Sequence, residues 1–104
     1  IVKDDLVVDI GGNDGSQLMQ YQKLGIDNIL NVECAKRVSE ISKNNGVPTI
    51  SDYFNKSCVE KYIGEKSVKL YNASGVFFHL EELRSVIEGI KLSLREDGVL
   101  IVQF

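Results

Sequence analysis

Five short runs of apolar and β-branched residues recur along the chain: LVVDI (6–10), NILNVE (28–33), VPTI (47–50), VKLYN (68–72) and VLIVQF (99–104). None alternates regularly with polar residues. A strand with one face in water alternates, whereas a strand covered on both faces does not, so these runs point to a parallel sheet sandwiched between helices. The segments between them carry helix punctuation. Asp14 can cap the first helix and Gly25 can end it, with Leu18, Tyr21 and Leu24 facing inward. A second helix is expected from about Ala35 to Asn45, with Ala35, Val38 and Ile41 inward and Gly46 closing it. Pro48 then stands at a strand start, where its missing N–H matters least. A weaker helix covers about Lys56 to Ile63 and ends at Gly64. The strongest runs from about Glu81 to Arg95, with Leu83, Val86, Ile87, Ile90 and Leu94 as one stripe before Gly98.

Strand–helix alternation at this spacing implies right-handed crossovers and an α/β fold, a Rossmann-like parallel sheet with helices on both faces. By analogy with nucleotide-binding folds the expected strand order is 3-2-1-4-5. Ligands in such sheets lie beyond the carboxyl ends of the strands, here over Gly11–Gly15, Glu33 and the segment after Asn72. The 104 residues suffice for one domain, taken as 1–104. The chain starts at Ile1 and ends within an apolar run, as expected of a fold truncated after its fifth strand. That strand would leave an open edge, an expected surface for self-association. A net charge of -3 with no basic stripe argues against nucleic acid as a partner. No apolar run has the roughly 20 residues of a membrane helix. Cys34 and Cys58 fit no zinc spacing, no metal is expected, and two unpaired thiols suit the cytoplasm.

The loop GGNDG (11–15) does not match the dinucleotide fingerprint, because counting from Gly11 places Asn13 and Ser16 where that pattern needs glycine. A tight turn is the plain alternative. The acids narrow the choice. Asp9 ends the first strand, Asp14 sits in the loop, and Glu33 ends the second strand, where dinucleotide folds place an acid on a ribose hydroxyl. Two carboxylates beside a pyrophosphate would repel it. S-adenosylmethionine instead carries a sulfonium and an ammonium and no phosphate. Asp9 would attract the ammonium, and loop N–H groups could take the carboxylate. The plainer readings are that Asp14 caps a helix and that Asp9 only bonds nearby backbone.

VVDIGGNDGS resembles motif I of the class I S-adenosylmethionine-dependent methyltransferases. With NVECAKRVSEISKNNGVPTISDYF and ASGVFFHLEEL, the chain looks like the sugar C-methyltransferase family, which acts on nucleotide-linked deoxysugars. Gly12 departs from that family's usual Ser, and Ser74 and Gly75 from its usual pair of Asn. The resemblance implies that Asp9, Gly11, Gly12, Asn13 and Gly15 form the methionine-binding loop, with Asn72 at the end of the fourth strand. It implies that Glu33 holds the ribose and that Asp52 and Tyr53 lie near the adenine. His79 falls on a histidine that would face the transferring methyl or the sugar, although a lone histidine among Val76, Phe77, Phe78 and Leu80 is as readily packed as catalytic. The implied protein is a methyltransferase acting on a small-molecule acceptor, expectedly a carbon of a nucleotide sugar. The 104 residues alone are expected to bind the methyl donor and to be inert. The alternatives are another small-molecule methyltransferase of this fold, or a non-catalytic Rossmann-like binding module. The acids disfavour a nicotinamide-binding domain.

Overall fold

The computed structural model describes residues 2–74 and 80–103. The expectations for His79 and Gly75 therefore lie outside the described residues. The elements follow in the order β1 (Leu6–Ile10), α1 (Ser16–Lys23), β2 (Ile29–Val32), α2 (Lys36–Asn44), β3 (Thr49–Ile50), α3 (Lys56–Cys58), which runs into a π-helical turn (Val59–Ile63), β4 (Val68–Ser74), α4 (Leu80–Ser93) and β5 (Leu94–Gln103). The five strands form one parallel sheet in the order β3-β2-β1-β4-β5, the expected one.

Two apolar clusters separate the faces. Val7, Ile29 and Val47 pack with Leu18 on the side of α1 and α2. Val8, Ile10, Val32, Val68 and Tyr71 pack with Phe54, Cys58, Val59 and Val86 on the side of α3 and α4. Val7 and Val8 are both fully buried although adjacent, which is what strands covered on both faces require. Gly25 and Gly46 end α1 and α2 as expected. Each adopts a positive φ (85° and 82°), and the following N–H reaches back to close the helix, Ile26 to the Tyr21 carbonyl and Val47 to that of Ser42.

Four expectations need correction. Gly15, not Asp14, holds the N-cap position of α1, while the Asp14 carboxylate accepts the Ser16 N–H at 3.0 Å just inside it. Leu24 lies past the end of α1 and is exposed. In α2 the inward residues are Ser39 and Ser42, both fully buried, whereas Ala35 precedes the helix and Ile41 is exposed. Ser39 and Ser42 satisfy themselves through Ser51 and Thr49, each at 2.7 Å, so hydroxyls carry this contact. In α4 the buried residues are Val86, Gly89 and Ser93, with Ser93 bonded to Tyr71 of β4 at 2.6 Å, while Leu83 and Ile87 are partly exposed. Gly89 lets α4 approach α3 and the π-helical turn closely, since a β-carbon there would come within 3.1 Å of Val59 Cγ2 and 3.3 Å of the Asn55 backbone.

The last strand also begins earlier than expected. Leu94 already pairs with Val68, and the ladder resumes with Leu70 opposite Val99, so residues 95–98 bulge outward. Arg95 anchors the bulge, donating to Asp5 at 2.7 Å and to Asp97 at 3.0 Å. The Val2 N–H and Arg95 together hold the Asp5 carboxyl below its ordinary range. Beyond the bulge, Val99, Leu100, Ile101 and Val102 are each at least 40% exposed, and β5 forms the sheet's edge. An uncharged apolar edge invites pairing. Sedimentation velocity is expected to show weight-average mass rising with concentration, and Ile101→Lys is expected to suppress the rise. Monomer alone at every concentration would contradict this. Among the described residues no helix is long and apolar enough to cross a membrane.

Candidate functional site

The carboxyl ends of β1, β2 and β4 bring the sequence-identified residues together. Asp9 lies opposite Asn31 of β2 and Asn72 of β4 in the parallel register. All three are buried, and they form a polar row across the middle of the sheet on the α1 side. The glycine loop lies above this row. Gly11 turns at φ 69° and Asn13 at φ 58°, and Gly15 enters α1 at φ 84°. At Gly15 an added β-carbon would sit 2.8 Å from Ser42 Oγ and 2.9 Å from Val47 Cγ2. This glycine is thus required both by its backbone conformation and by the closeness of α2 and β3.

Glu33, one residue past β2, is buried and grips the loop. Its Oε1 accepts the Asn13 N–H and its Oε2 the Ala35 N–H, both at 2.9 Å. Asn72 donates to the Tyr21 hydroxyl at 3.2 Å. Asp9 is different. It is 2% exposed, and its Oδ1 has no hydrogen-bond partner, the sole such buried side-chain oxygen or nitrogen among the described residues. Burial, and secondarily the nearby Glu33 carboxylate, push the Asp9 carboxyl up to about 7. Asp14 lies on the other side of the loop, where the Ser16 hydroxyl and N–H hold its carboxyl below the ordinary range.

A cleft of about 570 Å³ opens on the opposite face, between the strand ends and α4. Ile10, Gly11, Val32 and Cys34 form its floor, Asp52, Tyr53, Phe54 and Asn55 one wall, and Glu81, Glu82 and Ser85 the other. Asp52 and Tyr53, both exposed, lie in this wall, with the Asp52 carboxylate accepting the Tyr53 N–H at 2.7 Å. The site residues therefore form two groups meeting at Gly11. Asp9, Gly12, Asn13, Glu33 and Asn72 lie in and under the loop, and Asp52 and Tyr53 line the cleft. Among the described residues lining it, the cleft carries three carboxylates and no lysine or arginine, which favours a ligand without phosphate at this position.

The loop differs from expectation in one respect. The N–H groups of Gly11, Gly12, Asn13, Gly15 and Ser16 are already held by Val32, Asn31, Glu33, Gly12 and Asp14 respectively. They are not an open anion cradle. Asn31, which the sequence reading passed over, explains part of this. Its signal was a lone amide inside an otherwise apolar strand, ILNV.

No protein-family model matches the chain. Among curated proteins it is 26% identical over 100 residues to the C-methyltransferase NovU of Streptomyces niveus, covering 95% of this chain and 24% of that protein. Among solved structures it superposes on an S-adenosylmethionine-dependent methyltransferase from Archaeoglobus fulgidus with a TM-score of 0.81 at 13% identity, over 93% of this chain and 43% of that one. It superposes on geranyl diphosphate C-methyltransferase from Streptomyces coelicolor A3(2), solved with Mg2+, geranyl diphosphate and S-adenosyl-L-homocysteine, with a TM-score of 0.78 at 14% identity. That match covers 98% of this chain and 39% of the other. The chain thus spans about a quarter of the curated relative's length, and its fold is that of the class I methyltransferase core.

Proposed function

We propose that the chain binds S-adenosylmethionine and forms the cofactor-binding core of a methyltransferase acting on a carbon of a small molecule. The observation that carries this reading is Asp9, a buried carboxylate with a vacant acceptor at the end of the central strand. A cationic group arriving beside it would restore what burial removed. A pyrophosphate would find no lysine or arginine among the described cleft-lining residues. When bound, S-adenosylmethionine supplies an electrophilic methyl group on a sulfonium. The chain's residues hold and orient it. Asp9 faces positive charge, Glu33 accepts ribose hydroxyls, and Ile10, Val32 and Tyr53 offer apolar surface to the base. The NovU likeness supports carbon as the methylated atom, and the motif resemblance supports a nucleotide sugar as the acceptor. Two free thiols, Cys34 and Cys58, suit a cytoplasmic protein.

Calorimetry with S-adenosylhomocysteine tests the site. Glu33→Gln is expected to weaken binding by about 10–100-fold, since hydrogen bonds to a charged group contribute about 1.5–3 kcal/mol. Asp14→Asn, altering a carboxylate outside the cleft, is expected to change affinity less than threefold, about 0.6 kcal/mol. Equal affinities for Glu33→Gln and the unaltered protein would place the ribose elsewhere.

A further inference from the structure

We infer that Asn31 is a positioning residue for the glycine loop, its side chain filling the space that a β-carbon at residue 12 would need and fixing the loop backbone from beneath. The contacts are threefold. Asn31 Oδ1 accepts the Gly12 N–H at 2.9 Å, and Nδ2 donates to the Asn13 carbonyl at 3.1 Å and to Ser42 Oγ at 3.0 Å. Only one orientation of the amide satisfies all three, because the oxygen must meet an N–H while the nitrogen meets two oxygens. The side chain is fully buried, so these bonds do not exchange with water.

The network continues into the scaffold. Thr49 Oγ1 donates to the Val47 carbonyl at 2.7 Å, so at its 2.7 Å contact with Ser42 it accepts the Ser42 hydroxyl proton. Asn31 thereby ties the loop to α2 and β3 through one directed chain. The same Ser42 hydroxyl packs against Gly15, so both ends of the loop rest on this network.

Residue 12 must be glycine for this arrangement. A β-carbon there would overlap the Asn31 amide and lie 2.9 Å from Asp9 Oδ2. The requirement is steric, since the left-handed turns of this loop fall at Gly11, Asn13 and Gly15. A side chain at residue 12 and an amide at residue 31 are therefore alternative ways of filling one volume. Asn31 also settles which loop groups a ligand meets, because it withdraws the Gly12 N–H and the Asn13 carbonyl from the cleft and leaves the Asp9 carboxylate beneath the loop without a protein donor on Oδ1.

The ligand arm of the test rests on the proposed S-adenosylmethionine site; the other arms do not. Asn31→Ala is expected to speed amide hydrogen exchange at Gly12 by about tenfold or more, as loss of its acceptor requires, while leaving the β1 amides of Val7 and Val8 unchanged. Gly12→Ser is expected to weaken S-adenosylhomocysteine binding by more than tenfold and to lower the melting temperature. The double variant Gly12→Ser/Asn31→Ala is expected to recover part of both losses, being better than Gly12→Ser alone. Should Asn31→Ala not fold, Asn31→Ser carries the same cycle. Unchanged Gly12 exchange in the Asn31 variant, or a double variant whose losses add, would overturn the inference whether or not the ligand binds. Absence of S-adenosylhomocysteine binding by the unaltered protein, with the exchange and melting results as expected, would overturn the cofactor reading and leave the role of Asn31 standing.

Discussion

Asp9→Asn is expected to make the ligand-free protein more stable above neutral pH while crippling ligand binding. The Asp9 carboxyl is pushed up to about 7 in the fold, first by burial and then by Glu33, against an ordinary value of 3.8. The unfolded chain ionises this group near pH 4, and the folded protein only near pH 7. Between those values folding must keep a proton that the unfolded chain has released, so stability falls as pH rises and the full penalty is present above pH 7. At about 1.36 kcal/mol per pKa unit the penalty reaches at most about 4 kcal/mol. Asparagine keeps the shape and removes the charge. The stability gain of Asp9→Asn should be near zero at pH 4, grow through pH 5–7, and level off by pH 8, as read from urea unfolding. S-adenosylhomocysteine should bind the variant at least tenfold more weakly, a charged hydrogen bond being worth about 1.5–3 kcal/mol. Its affinity for the unaltered protein should rise from pH 6 to 8 as Asp9 ionises. A variant equally stable at pH 8, or one that keeps its affinity, would contradict this role.

Gly15→Ala is expected to be strongly destabilising, because backbone strain and overpacking act together at this position. At φ 84° an alanine pays about 1–2 kcal/mol for left-handed backbone. Its β-carbon would also press on Ser42 and Val47 within 2.9 Å, and overpacking of this kind adds typically about 1–3 kcal/mol. The expected loss is about 2–5 kcal/mol. Gly46→Ala supplies the control. Its φ is 82°, nearly the same, but a β-carbon there meets nothing within 4 Å, so only the backbone cost of about 1–2 kcal/mol remains. Urea unfolding of both variants separates the two contributions. Equal losses would show that packing at Gly15 is irrelevant.

These two sites indicate what the sequence made legible. Unbroken β-branched runs identified the parallel strands, and glycines past helix ends located Gly25 and Gly46, because both signals are local and arise from backbone sterics. The strand-end positions of Asp9 and Glu33 beside the glycine turn were legible because they follow from the strand boundaries, whereas the grip of Glu33 on the Asn13 and Ala35 N–H groups was not. The helix faces were misread for one common reason. In α2 and α4 the buried faces are built largely from Ser39, Ser42, Gly89 and Ser93, small residues that allow close approach, while Ile41, Leu83 and Ile87 remain partly exposed. Apolar periodicity finds large residues, and a face built from small ones leaves it little to find. The start of β5 was missed because a long-range ion pair, Arg95 with Asp5, draws residues 95–98 into a bulge that no local pattern announces. Asn31 was missed likewise, its role depending on Gly12, 19 residues away.

The central claim, that Asp9, Glu33 and the glycine loop form a site for a nucleoside that carries an ammonium group and no phosphate, is tested most directly by thermal unfolding of the unaltered protein with S-adenosylhomocysteine and, separately, with NAD. A ligand at 100 times its dissociation constant stabilises the folded state by about 2.7 kcal/mol. For a domain of this size that corresponds to a melting-temperature rise on the order of 10 °C. The account predicts such a rise with S-adenosylhomocysteine and none with NAD at the same concentration; a larger rise with NAD would contradict it.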